Sequence, residues 1–213
     1  MVLCHEYERP LNMKKIDIDV DLDDIPEDDF STKKKVNSKK KGNRYELYIS
    51  NDLSKRFNDT FRRVPQSGAI VGGVNKLYNE NLRSDAQEIF AGDIISPPWF
   101  PFCIEAKNYE NTPKMANLLS VGDKDLDKWI SQAKSSAKLA KKQWLICFKI
   151  TKGRKSFCCL DKSFFEETTT SYNNYIVYKD TIILDYYDFM EKCISDFFET
   201  QENSDINNME QGD

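Results

Sequence analysis

Apolar positions recur along the chain with two distinct periods, and the changes of period mark its elements. Tyr45, Tyr48, Ile49, Leu53 and Phe57 fall three or four residues apart, which predicts an amphipathic helix over 43–58. Residues 60–64 read as a short strand stopped by Pro65 and the Ser67-Gly68 pair, and a short helix is expected near 83–90. Residues 93–96 and 102–107 read as strands on either side of the turn-prone Pro97-Pro98-Trp99-Phe100-Pro101. Leu126, Trp129, Ile130, Ala133, Ala137 and Ala140 return to the helical period and predict a second amphipathic helix over 124–141. Strands follow at 144–150, 156–160, 175–178 and 181–184, and a closing helix at 185–199. Helices and strands in this order predict an α/β fold with a mixed central sheet flanked by helices.

The ends are different in kind. Residues 17–29 alternate acids with Ile18, Val20 and Leu22; the alternation suits an edge strand, but the charge density favours a mobile acidic arm. With the Lys-rich stretch that follows, residues 1–40 form an arm and basic linker. Residues 201–213 are polar and expected to be disordered.

Composition changes the picture through charge. The net charge of -4 conceals segregation: 3 basic and 10 acidic side chains in 1–30, 25 and 12 in 31–160, and 3 and 13 in 161–213. A basic middle between acidic ends suits a polyanion partner whose indiscriminate binding the ends oppose. No apolar run approaches the roughly 18 residues that a membrane helix needs. His5, Glu6, Glu8 and Arg9 stand where a signal peptide would be apolar, so a cytoplasmic, membrane-free protein is expected. The six cysteines show no CxxC spacing and several lie in apolar runs, as reduced core side chains do. A single histidine, His5, leaves no room for histidine metal sites or Ser-His-Asp chemistry.

Candidate chemistry lies in Asp93 and, after a proline-rich loop, Glu105-Ala106-Lys107. Alternate residues of a strand share a face, so Glu105 and Lys107 project together while Ile104 and Ala106 point away. Charges inside an apolar strand cost free energy unless something uses them. With Asp93 at the bend of the neighbouring strand, two carboxylates and an ammonium converge, a donor set that suits Mg2+, with Mn2+ as a substitute. Such a centre can activate water, neutralise phosphate charge and stabilise a developing phosphorane.

Four segments carry a family likeness: Lys41-Gly42-Asn43-Arg44-Tyr45-Glu46, Phe61-Arg62-Arg63-Val64-Pro65-Gln66-Ser67-Gly68, the Asp93 and Glu105-Ala106-Lys107 pair, and Gln132. Together they resemble the PD-(D/E)XK nuclease superfamily, and within it most the archaeal-type Holliday junction resolvases, over residues 41–150. Gly92 stands where the superfamily's name has proline. The resemblance implies a restriction-endonuclease-like core in 41–160, with Glu46, Asp93 and Glu105 as metal ligands or their supports. It implies Lys107 as the catalytic lysine, Gln132 as a polar residue of the site, and Arg62, Arg63 and Ser67 as DNA contacts. In a strand Arg62 and Arg63 face opposite ways, so one of them is expected on the site side. Glu46 has a second reading as an acid favoured by a helix N-terminus. Lys134, Lys138 and Lys141 either track a phosphate backbone or form a solvated face. Trp99 either stacks on an unpaired base or, as its setting favours, covers the end of the core.

The expected activity is a Mg2+-dependent DNA endonuclease, foremost a resolvase of four-way junctions working as a homodimer. A restriction-type or repair nuclease and a DNA-binding protein without turnover are the alternatives. Residues 161–200 would complete the domain or build the dimer interface.

Overall fold

The computed structural model of the chain describes residues 38–65, 88–109, 115–118, 120–150, 155–169 and 172–198. The acidic arm, residues 83–87 of the helix expected near 83–90, Ser67 and the polar tail lie outside the described residues.

Helix α1 spans Ser38–Phe57, and β1 (Arg62–Arg63) and β2 (Ile94–Ile95) are two residues each. The long strand β3 covers Phe102–Tyr109, followed by the single turn α2 (Met115–Leu118), helix α3 (Lys124–Ala140) and strand β4 (Gln143–Ile150). Next come β5 (Ser156–Asp161), α4 (Lys162–Thr168), β6 (Ile176–Tyr178) and β7 (Thr181–Asp185). The chain then turns through α5 (Tyr186–Asp188) into a π-helical turn, Phe189–Cys193, and stays helical over 194–198.

The strands form one seven-stranded sheet in the order β1-β2-β3-β4-β5-β7-β6. Among the described strands only β3 and β4 run parallel; α3 joins them, and every other neighbouring pair is antiparallel. The α/β architecture with a mixed sheet and flanking helices, consistent with a restriction-endonuclease-like fold, is as the sequence predicts.

Alternation along the strands divides the core into two apolar layers. Ile104, Ala106, Leu145, Cys147, Cys158, Leu160, Ile182 and Leu184 face α1, Phe165 of α4 and the C-terminal helical segment. Cys103, Trp144, Ile146, Phe148, Cys159 and Ile183 face α3, which buries Leu126, Trp129, Ala133, Ala137 and Ala140. Three alanines on one stripe let α3 lie close to the sheet, and that closeness brings its polar flank within reach of β3. Asp123 caps α3 by accepting from the Asp125 and Leu126 amides, both at 3.0 Å. Tyr178 anchors the same end, its hydroxyl donating to Asp127 at 2.9 Å.

Two expectations change. Helix α1 begins five residues before the predicted 43, at Ser38, because lysines are good helix formers and an apolar period cannot register them. Helix α4 was not predicted; it is set by the Asp161 side chain, which accepts from the Phe164 amide, and it buries little beyond Phe165. Trp99 sits against Phe57, Phe61, Phe100 and Phe198 and donates from Nε1 to Asp59 at 2.8 Å. It seals the end of the core. Cys103, Cys147, Cys158, Cys159 and Cys193 are buried free thiols.

Candidate active site

Gly92 opens the turn into β2 at a φ of 80°, in the left-handed region. A Cβ there would stand 2.7 Å from the Ile104 carbonyl oxygen, so the position requires glycine on two counts. Proline, locked near -65°, could not adopt this backbone.

That turn aims Asp93. Its amide donates to the Ile104 carbonyl at 2.8 Å, its own carbonyl accepts from Val64 at 2.9 Å, and its Oδ2 accepts from the Ala106 amide at 2.9 Å. Strand β2 pairs with β3 only at Ile104, so the Asp93 side chain takes the place of a ladder partner for the next free amide. The residue is therefore fixed at three points, two on its backbone and one on its carboxylate.

Lys107 reaches back to it. The Nζ donates to Asp93 Oδ2 at 3.3 Å and to Glu105 Oε2 at 2.7 Å. Asp93, Glu105 and Lys107 thus meet on one side of the sheet, as alternation predicts. From α3, Gln132 Nε2 donates to Glu105 Oε2 and Ser136 Oγ to Glu105 Oε1, each at 2.8 Å. Ser136 was not expected, although it follows Gln132 by four residues on the same helix flank.

Glu46 approaches from α1. Arg63 Nη1 donates to its Oε2 at 3.2 Å, so Arg63 is the arginine turned toward the site, whereas Arg62 is exposed. Glu46 lies more than two turns into α1, beyond the reach of the helix dipole, which removes its reading as an N-terminal acid.

Electrostatics tie these groups together. Burial, then the charge of Asp93, push Glu105 up to about 7, against the pull of Lys107 and the Ser136 hydroxyl. Glu46 is raised by burial and by Asp93, against Arg63 and Lys107. Burial pulls Lys107 down, but Asp93 and Glu105 outweigh it and leave its ammonium raised. Three carboxylates against Lys107 and Arg63 leave negative charge in excess when all are ionised, and bound cation would relieve it.

Among the described residues no three acidic, cysteine or histidine side chains form a ready-made metal cage. The pair of hard carboxylates on one ammonium nevertheless fits a Mg2+-like ion, which takes one or two carboxylates and fills its shell with water and phosphate. Asp93 and Glu105 would be the direct holders and Glu46 a more distant support.

The remaining lysines stand apart. Lys134 lies over the Trp144 ring, 5.7 Å from its centre, and Lys138 is exposed beyond it. At about 100° per residue, both project from the flank of α3 away from Gln132 and Ser136. Lys141 caps the far end of α3 with a φ of 52° and pairs with Glu88 at 2.9 Å.

A family model described as "Phage putative PDDEXK endonuclease" matches residues 37–208. Protein D14 of Escherichia phage T5 is 29% identical over 123 residues, covering 56% of this chain and 68% of that one. Its name carries no activity. No solved structure matches the chain.

Proposed function

Since the chain belongs to this phage PDDEXK endonuclease family, and so to the PD-(D/E)XK superfamily, we propose that it is a metal-dependent endonuclease acting on branched DNA, four-way junctions foremost. The observation that carries the reading is the Lys107 ammonium bridging Asp93 and Glu105 at the open side of β3.

PD-(D/E)XK nucleases generally use divalent metal ions, and Mg2+ is the ion proposed here, with Mn2+ able to replace it. Asp93 and Glu105 would hold a divalent ion, which would supply Lewis acidity and lower the pKa of a water. The Asp93 carboxylate, fixed by the Ala106 amide, presents its lone pairs in one direction. Lys107 orients the attacking water and offsets charge as it grows on the phosphorus-bound oxygens. Arg63, already turned to the site, exchanges Glu46 for a DNA phosphate. Arg62, which is exposed, makes a further backbone contact, and Ser67 is proposed as another. As the water oxygen bonds to phosphorus the P–O3' bond breaks. The 3' oxygen leaves and takes a proton from solvent to become a 3'-hydroxyl, and the attacking water gives its proton to solvent. The phosphate stays on the 5' end of the other fragment. Junction resolution needs two incisions related by symmetry, so a twofold homodimer belongs to the reading.

The test is cleavage of a four-way junction, linear duplex and single strands by the purified chain in Mg2+ or Mn2+. Paired symmetric nicks in the junction alone are expected. Cutting of plain duplex at a fixed sequence would replace the junction by a restriction-type target. Junction binding with no product in either ion would mark a DNA-binding protein without turnover.

A further inference from the structure

We propose that Ser136 is a positioning residue for Glu105, setting the angle at which that carboxylate faces a divalent cation; the inference rests on the nuclease reading above. Glu105 is 1% exposed, and its Cα is fixed by the β3–β4 ladder opposite Ile146. Its carboxylate plane remains free to turn unless both oxygens are held. Oε2 is drawn toward β3's own Lys107 and toward Gln132. Oε1 is held from the other side by the Ser136 hydroxyl at 2.8 Å. Helix α3 therefore grips both oxygens from residues one turn apart, and the tight Ala133–Ala137 stripe keeps that grip at fixed height above the strand.

Without the hydroxyl, the carboxylate can rotate to chelate the ammonium with both oxygens, which withdraws lone pairs from a cation. Ser136 needs no contact with DNA to act in this way. Partners behind a ligand commonly change metal affinity by about 10–100-fold, and a loss in the lower part of that range is expected here.

The experiment measures Mn2+ binding by electron paramagnetic resonance on the full chain without DNA, for wild type, Ser136→Ala and Ser136→Thr. Ser136→Ala should weaken Mn2+ by about tenfold or more. Its metal-free Tm should stay within about 2 °C of wild type, because a half-buried hydroxyl is lost without a cavity. Ser136→Thr, which keeps the hydroxyl, should restore affinity to within about threefold. Unchanged affinity in Ser136→Ala would overturn the inference. So would equal weakening in both variants, or no Mn2+ binding by wild type. Mn2+ binding with this pattern but no DNA cleavage would uphold the role of Ser136 and reject the nuclease reading instead.

Discussion

Glu105 is held by three donors, yet burial and Asp93 raise it to about 7, so the folded chain prefers it protonated. A carboxyl raised on folding contributes stability that is complete below its ordinary 4.5 and is lost as pH rises through about 7. Metal-free protein should therefore weaken between pH 6 and pH 8, and Mg2+ should restore the loss at pH 8. Glu105→Gln, neutral throughout and still able to pair with Ser136 and Lys107, should be more stable than wild type at pH 8 in EDTA by about 1–2 kcal/mol. Thermal melts at the two pH values check this; a wild type that gains on the variant as pH rises would refute it. The alternation of 102–107 is enough to put Glu105 and Lys107 on one face. Ser136 was not legible, because a serine on the polar flank of a helix looks like any solvated residue until the register of α3 on β3 is known. The separation of Lys134 from Gln132 by about 200° is contained in helical spacing, but charge alone does not say which flank meets the site.

At the scale of elements, the site depends on a break in the sheet. Two-residue strands β1 and β2 leave the β2-side edge of β3 without a ladder partner beyond Ile104, and the Asp93 side chain fills the opening. Gly92 makes this turn possible. Gly92→Ala should destabilise the chain by about 1–3 kcal/mol, through left-handed strain and the clash with the Ile104 oxygen. Cleavage should fall further than stability accounts for, since Asp93 shifts with its turn. Gly92→Pro should be worse than Gly92→Ala in chemical denaturation; a proline variant as stable as wild type would contradict the backbone described here. Helices α1 and α3 and the long strands β3, β4 and β5 were legible because each carries sustained apolar periodicity. The closing helix over 185–199 was legible too, but not its π register at Phe189–Cys193, nor the first turn of α1 or the short α4. Lysine-rich, cap-driven and irregular helical segments leave no such period.

At the scale of the whole molecule, the sheet and its two apolar layers hold a small charged centre on the α3 side of β3, while net charge is partitioned along the chain. Residues 1–30 carry a net -7 and residues 31–160 a net +13. Deleting residues 1–30 should tighten nonspecific duplex binding several-fold at about 50 mM salt, with the gain fading at about 300 mM as screening shortens. Fluorescence anisotropy would record it, and weaker binding by the truncated chain would count against mutual screening of the acidic and basic segments. The junction target and the homodimer belong to the proposal rather than to the fold, because a shared catalytic core serves many DNA shapes.

The most direct measurement compares wild type, Asp93→Asn and Glu105→Gln on a labelled four-way junction, with Mg2+ and with EDTA. Wild type should cut only with the ion, and both variants should lose about 10³-fold in rate or more while binding the junction as tightly as wild type. Wild-type cleavage rates in either variant would contradict the assignment of Asp93, Glu105 and Lys107 as the phosphodiester-cleaving centre.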